Sequence, residues 1–258
     1  MRRIIYNFAL FTCLTSSIPN KKLTYLQDQG LSTQYPKPIP NQRNPYHIQS
    51  TDVLSIRIQG VSQEITNTLN NNGSFNNYSS DPGNNFLNGY SVDEAGDIIL
   101  PTIGKVAVKN LTVEEAQALI QKKVDEFYTN TTVVVKLVSF KITVLGAVAR
   151  PGYFYIFNGQ GTVLDALGLA GDMTAVGNRN NVKLIRQTPK GSEVILLDLT
   201  KGDVMKSPYF YLVPNDVIYV EALKAQALRN NIAPIGTVLT YLSSAILLLY
   251  FTGLIKQK

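Results

Sequence analysis

Two groups of carboxylates are the residues in this chain that could carry acid–base chemistry. Asp93, Glu94 and Asp97 lie close together in the sequence, and Glu114 and Glu115 are adjacent. Glycoside cleavage would need two carboxyl groups facing each other at about 5 Å or at about 6.5–9.5 Å. The local patterns instead favour a turn for the first group and a helix N-terminus for the second, where negative charge is stabilising. We therefore predict that the protein is not an enzyme and has no catalytic residues.

The other patterns that carry chemistry are incomplete. The stretch Gly159–Gly161 lacks the lysine of a phosphate-binding loop. His47 alternates with its neighbours in a strand-like pattern and is predicted to be structural. One histidine and one cysteine leave too few ligands for a Cys/His metal site, and a single cysteine excludes an internal disulfide. We expect no metal and no cofactor.

Aromatic residues form the more informative set. Tyr153, Tyr155 and Phe157 alternate in the sequence and would share one face of a strand. Sugars present apolar C–H faces together with hydroxyl groups, and the tyrosine ring is amphipathic in a matching way. Aromatic side chains also dominate cores and subunit interfaces. These three residues are therefore candidates either for contact with a glycan or for packing.

The formal net charge of +6 raises the question of nucleic-acid binding, which requires a basic face or stripe. The basic residues occur singly or in pairs, such as Arg2–Arg3 and Lys122–Lys123, so we predict no nucleic-acid partner. Only 16% of the 258 residues are charged, below the roughly 25% of typical soluble domains. Most of this deficit lies at the two ends of the chain.

The N-terminal end has the pattern of an export signal. The pair Arg2–Arg3 precedes an apolar stretch over residues 4–14, which has the length of a signal-peptide core rather than of a membrane span. We predict a signal peptide over residues 1–16. The three residues before Ser17 would suit a lipid-bearing cysteine, so one alternative is that Ser17 replaces a cysteine. The other is lipidation at Cys13, against which stands the apolar core of only about six residues that this would leave.

The C-terminal end contains an uncharged stretch over residues 235–255. As a helix it would be about 31 Å long, which matches a hydrocarbon core of about 30 Å, so we predict a transmembrane helix. Its small and hydroxyl-bearing residues fall in one sector, which suits a neighbouring helix or a water-filled lumen. The alternative is a lone anchor whose hydroxyls bond to their own helix. The candidate pore-facing residues are Gly236, Thr237, Thr240, Ser243 and Ser244.

The body of the chain predicts a small α+β unit. Prolines make residues 17–44 an extended N-terminal tether, and the Asn-rich stretch over residues 66–89 is a surface insertion. Thr112 and Glu115 form a capping box. The predicted elements are strands at 46–48, 53–58 and 131–138, a hairpin over 96–101 and 104–108, and a helix over 113–127 with Ala116, Leu119, Ile120 and Phe127 on one face.

A second α+β unit begins near Phe140. Thr162 and Asp165 repeat the capping pattern at the start of a short helix, which ends at Gly168 or Gly171. Strands are predicted at 142–148, 153–157, 182–186, 194–197 and 217–220. A sheet that grasps one helix is the expected arrangement.

These residues resemble the outer-membrane polysaccharide export family, the translocons for capsule and exopolysaccharide. The first unit carries the export-domain pattern at Tyr46, Ile48, Asp52, Val53, Leu54, Ile56, Ile58, Gly96, Ile98, Leu100, Pro101, Ile103, Gly104, Val106, Leu111, Thr112, Glu115 and Ala116. The second resembles a soluble-ligand-binding β-grasp domain at Gly146, Val148, Pro151, Gly152, Thr162, Leu164, Ala166, Leu167, Ala170, Gly171, Leu212, Asp216, Ile218 and Val220.

The resemblance implies an export domain over residues 45–138, one β-grasp domain over 139–222, a linker over 223–234 and the transmembrane helix. It further implies a homo-oligomeric ring, an octamer in the family, whose helices form an α-helical outer-membrane pore with both domains in the periplasm. The implied function is passive translocation of capsular or exopolysaccharide, with the outer-membrane lipid and an inner-membrane polysaccharide co-polymerase as partners. The alternative is a membrane-anchored, glycan-binding lipoprotein that acts without a pore.

Overall fold

A computed structural model describes residues 23–27, 35–36, 38–41, 43–60, 88–157, 159–223, 241 and 243–244. The predictions for the signal peptide, Cys13, Ser17, most of the Asn-rich insertion and nearly all of the linker lie outside these residues. Of the predicted transmembrane helix, only Tyr241, Ser243 and Ser244 are described, as exposed helical positions. Within the described ranges, no helix combines the length and the apolar character that crossing a membrane requires.

The first α+β unit is built around a three-stranded antiparallel sheet with β1 at its centre, flanked by β2 and β5. A separate hairpin pairs β3 with β4. The strand predictions over 53–58 and 131–138 and the hairpin are confirmed. The elements are β1 (Val53–Gln59), β2 (Tyr90–Ser91), β3 (Asp97–Leu100), β4 (Gly104–Ala107), α1 (Val113–Asp125) and β5 (Thr132–Leu137).

Helix α1 begins at the predicted capping box. The Thr112 hydroxyl accepts from the Glu115 backbone N–H at 3.2 Å, and the Glu115 carboxylate accepts from the Thr112 N–H at 2.8 Å. The buried face consists of Ala116, Ile120 and Val124. The placement of Phe127 on that face is wrong: the helix ends at Asp125, so the ring leaves the 3.6-residue period and is 56% exposed.

Two glutamines of α1 join the helix to the sheet. Val133 and Val135 of β5 donate their backbone N–H groups to the side chains of Gln121 and Gln117, at 2.8 and 3.1 Å. Buried backbone donors need such partners. The helix therefore covers the edge of β5 that β1 leaves unpaired.

The predicted strand over Tyr46–Ile48 is absent. This segment is irregular, because Ile48 exchanges backbone hydrogen bonds only with Leu111 and Asn110, each at 2.9 Å. Ile48 is nevertheless fully buried, whereas His47 is exposed. The alternation therefore correctly indicated which side chain faces the core.

The second unit contains a five-stranded sheet in the order β7-β6-β10-β8-β9. The pair β6–β10 is parallel, and the remaining pairs are antiparallel. Helix α2 begins at the predicted Thr162–Asp165 capping box and buries Val163, Ala166 and Leu167. The elements are β6 (Lys141–Gly146), β7 (Gly152–Tyr155), α2 (Val163–Leu169), β8 (Gly177–Thr188), β9 (Gly191–Leu197), a 3-10 helix (Gly202–Lys206) and β10 (Val217–Ala222).

Gly146 allows the close approach of β6 to β10. Its φ is +91°, and a Cβ atom there would lie 2.1 Å from the carbonyl oxygen of Val220. Glycine adopts positive φ without the steric cost that other residues meet. The parallel pairing at the centre of the sheet thus depends on this residue.

The two units share one hydrophobic core, which extends from Ile48 in the first unit to Val220 in the second. Phe140, between β5 and β6, is buried within it. The part of the α+β prediction that calls for helices combined with β-sheets is confirmed in the described residues.

Part of the N-terminal segment packs on the second unit. Leu26 and Gln27 donate backbone hydrogen bonds to the carbonyls of Leu199 and Thr200, at 3.1 and 2.6 Å. The Tyr25 hydroxyl donates to Asp172. Residues 25–27 are therefore held against the domain.

Candidate functional site

A cleft of about 400 Å³ lies between the two units. Its walls come from chain segments far apart in sequence, and each supplies a different chemistry. They are residues 43–46, the first turn of α1, β5, the loop after β7 with Phe157, Arg186 on β8, and residues 208–213 before β10.

One wall is positioned by Asp52, which is 4% exposed. Its carboxylate accepts hydrogen bonds from the Tyr46 hydroxyl at 2.8 Å, the Gln49 N–H at 2.9 Å and the Ser139 hydroxyl at 3.2 Å. Burial raises the pKa of Asp52, and these three hydrogen bonds oppose the rise. Burial, with the neighbouring Asp52 carboxylate, also raises the pKa of Tyr46. The Tyr46 ring is therefore held in place as a neutral phenol.

The opposite wall is positioned by Asp216, which is fully buried. Arg186 donates to both of its carboxylate oxygens, at 3.0 and 2.7 Å, and also to the carbonyl of Tyr211 at 3.0 Å. The guanidinium also lies 5.4 Å from the centre of the Tyr209 ring. Burial raises the pKa of Asp216, and the hydrogen bonds from Arg186 and Val213 oppose the rise. Arg186 is thereby fixed with its side chain 16% exposed.

The two aspartates have the same local arrangement. Each lies immediately before an apolar strand, and each accepts the backbone N–H of the residue three positions earlier: Gln49 at 2.9 Å for Asp52, and Val213 at 2.8 Å for Asp216. This turn explains why both carboxylates are buried. An aspartate directly before an apolar strand was the signal in the sequence for these positions.

The predicted aromatic residues divide into two places. Tyr153 and Tyr155 lie on the edge strand β7, with ring centroids 6.1 Å apart in an edge-to-face arrangement. Phe157 follows the strand, is 66% exposed and lines the cleft. Phe154 and Ile156 pack into the core, so the side chains alternate as expected, but the strand ends at Tyr155 and does not include Phe157. Their roles in contact with a glycan stay predictions, as do those of the candidate pore-facing residues.

Two of the candidate carboxylates, Asp93 and Glu115, have structural partners. Asp93 accepts from the backbone N–H groups of Gly96 and Asp97 at 2.9 and 2.8 Å, and the bond from Asp97 is the largest cause of its lowered pKa. Glu115 belongs to the α1 capping box, and the Thr112 N–H lowers its pKa. Glu114 lines the cleft.

The cleft contains cations that the sequence analysis did not single out. Arg43 and Lys136 are exposed residues on its walls, and Arg186 completes the set. Each occurs alone in the sequence, so no local pattern marked them. Together with the rings of Tyr46 and Phe157, they offer hydrogen-bond donors and positive charge beside apolar ring faces.

Comparison with known families identifies both units. Residues 40–138 match the family described as polysaccharide biosynthesis/export protein, and residues 141–198 match the SLBB domain. The chain belongs to the polysaccharide biosynthesis/export protein family, with an export domain followed by an SLBB domain. This family is defined by export rather than by an enzymatic reaction.

One curated relative is the "EPS I polysaccharide export outer membrane protein EpsA" of Ralstonia nicotianae (strain ATCC BAA-1114 / GMI1000). The two sequences are 27% identical over 154 residues, which is 58% of this chain. The match spans 40% of the length of that relative.

Proposed function

We propose that this chain is a subunit of an outer-membrane channel that exports capsular or exopolysaccharide by passive translocation. The observation that carries the proposal is the succession of an export domain and an SLBB domain around one continuous core. The name of the Ralstonia relative, an outer-membrane export protein, supports the same location. No chemical step is required of such a subunit.

In this proposal the chain is exported by its signal peptide, the lipid is carried at residue 17 where Ser17 replaces a cysteine, or alternatively at Cys13, and both domains lie in the periplasm. Residues 235–255 form a transmembrane helix, and several copies assemble into a ring with their polar sectors inward. A ring is needed because one helix cannot enclose a channel, whereas several helices can. An inner-membrane polysaccharide co-polymerase would deliver the polymer.

Charged substitutions on the two sides of the helix test the pore. Thr240→Lys places a charge in the polar sector, so the variant should insert and assemble but alter export. Leu242→Lys, the matched control, places the same charge toward lipid, which costs about 2.5–3.5 kcal/mol at the helix centre and should impair insertion. Export of polymer by a strain lacking the native protein, together with the amount of each variant in the membrane, provides the measurement.

The mass of the particle in mild detergent tests the ring. A closed oligomer with a central opening in electron micrographs is the expected result. A monomer at micromolar concentration would refute the channel and favour the glycan-binding lipoprotein. Intact mass of the membrane-extracted protein reports lipidation at residue 13 or 17.

A further inference from the structure

The cleft between the two domains has the size and lining of a ligand site. Its volume of about 400 Å³ lies within the range of about 300–1,000 Å³ that is typical of small-molecule sites. Two of its walls are held by buried hydrogen-bonded carboxylates, Asp52 and Asp216, so the site is preformed.

The charge of the lining is predominantly positive. Arg43, Lys136 and Arg186 face a single carboxylate, Glu114. Asp216 offsets Arg186, and the buried Asp52 carboxylate lies behind Tyr46, so the exposed charge of the cleft is that of Arg43 and Lys136 against Glu114. Within the described ranges, Arg43 and Lys136 form no ion pair or hydrogen bond, and the Nη1 atom of Arg186 has no protein partner. These groups are available to an anion.

The aromatic residues restrict the class of anion. Phe157 carries no polar atom, and the hydroxyl of Tyr46 is engaged by Asp52, so both offer mainly ring faces. Tyr211 contributes a third ring, which packs edge-to-face with Phe210. A ligand that fits must combine an apolar face with an acidic group, as a sugar ring bearing a carboxylate does.

We propose that this cleft binds an acidic sugar unit, a uronic acid or a sugar with an equivalent carboxylate, of the exported polymer. The proposal rests on the proposed function for the presence of a glycan. The carboxylate pairs with Arg43 and Lys136, Nη1 of Arg186 donates to a ring oxygen or hydroxyl, and Phe157 packs on the C–H face. The SLBB and export domains would then hold one sugar unit jointly.

Calorimetric titration of the full chain in mild detergent tests the site. The probes are a hexamer of galacturonic acid and, as the matched neutral probe, a hexamer of galactose. At about 50 mM salt the acidic hexamer should bind at least about tenfold more tightly, and raising the salt to about 0.5 M should remove most of this preference, because the ionic interactions are screened.

Matched variants locate the binding. Arg43→Gln and Lys136→Gln should each weaken binding of the acidic hexamer about five- to tenfold. Lys190→Gln, which removes the same charge in the exposed turn between β8 and β9, should leave it unchanged. Phe157→Ala should weaken the binding of both hexamers. Phe127→Ala, which removes an exposed ring outside the cleft, should weaken the binding of neither.

Three results would overturn the proposal: equal affinity for the two hexamers, no binding of the acidic hexamer at millimolar concentration, or an equal effect of Lys190→Gln and Arg43→Gln. Export measured on the same proteins separates this proposal from the channel. A chain that restores export but fails the titration refutes the acidic cleft alone. A chain that binds the acidic hexamer with the expected preference but restores no export refutes the channel and leaves the proposed acidic-sugar site standing.

Discussion

Removal of Arg186 tests whether Asp216 is a buried charge held by one partner. The Asp216 carboxylate is fully buried and is contacted by Arg186 at 2.7 and 3.0 Å, with the Val213 N–H at 2.8 Å as its other partner. In Arg186→Met the carboxylate keeps only that N–H. Removing one partner of a buried pair costs about 3–5 kcal/mol, because the remaining charge is uncompensated. We expect a loss of about 3 kcal/mol, since Val213 and the partial exposure of Arg186 moderate the cost.

A second pair on the same strands provides the control. Lys183 of β8 and Glu221 of β10 also form an ion pair, but both side chains are 32% exposed. Solvent screens such a pair, so Lys183→Met should cost less than about 1 kcal/mol. Urea unfolding of the full chain in mild detergent, followed by tyrosine fluorescence and far-ultraviolet circular dichroism, measures both variants.

The double variant Arg186→Met/Asp216→Asn separates charge from packing. It retains an amide oxygen for the Val213 N–H but no charge, so it should be more stable than Arg186→Met alone by about 1–2 kcal/mol. Burial raises the pKa of Asp216, and loss of Arg186 would raise it further. The loss of unfolding free energy in Arg186→Met, relative to the native chain, should therefore shrink as the pH falls from 7 toward 4, because the protonated carboxyl needs no counterion.

The reasoning would be refuted if Arg186→Met were no less stable than Lys183→Met. It would also fail if the double variant lost as much stability as the single variant. In either case, the burial of Asp216 would not carry the energetic cost assigned to it.

Two further predictions concern the glycine at the sheet centre and the N-terminal segment. Gly146→Ala should lower the free energy of unfolding by about 2–4 kcal/mol, because the new methyl group meets the Val220 carbonyl at a residue with positive φ. Gly168→Ala, in α2 with open space around it, should instead raise the free energy of unfolding by about 0.5–1 kcal/mol. Equal effects of the two variants in urea unfolding would contradict this prediction. Burial, followed by the hydrogen bond to Asp172, raises the pKa of Tyr25 to about 12, so its contribution to stability is complete below pH 10 and is lost as the pH rises from 10 through 12. Tyr25→Phe should be less stable than the native chain by about 1 kcal/mol at pH 8, and this gap in the free energy of unfolding should narrow above pH 10; a gap that stays constant would disprove the assignment.

Local patterns predicted most elements correctly because they depend on residues within a few positions of each other. Both capping boxes join residues three apart, and the period-two pattern over residues 54–58 matches the buried face of β1. The errors in the predicted elements arose where tertiary contacts decide the local structure. The segment 46–48 pairs only at Ile48, and α1 ends before Phe127, although a helical period extends that far.

The sequence by itself determined two successive α+β units, their helix starts and the family to which they belong, because each follows from short-range spacing and residue pattern. Only the tertiary structure decided the cleft. Arg43, Lys136 and Arg186 lie on three separate segments, and each is unremarkable among its neighbours. The shared core and the paired turns at Asp52 and Asp216 bring them to one place, since charge and ring faces act over distances in space rather than along the chain.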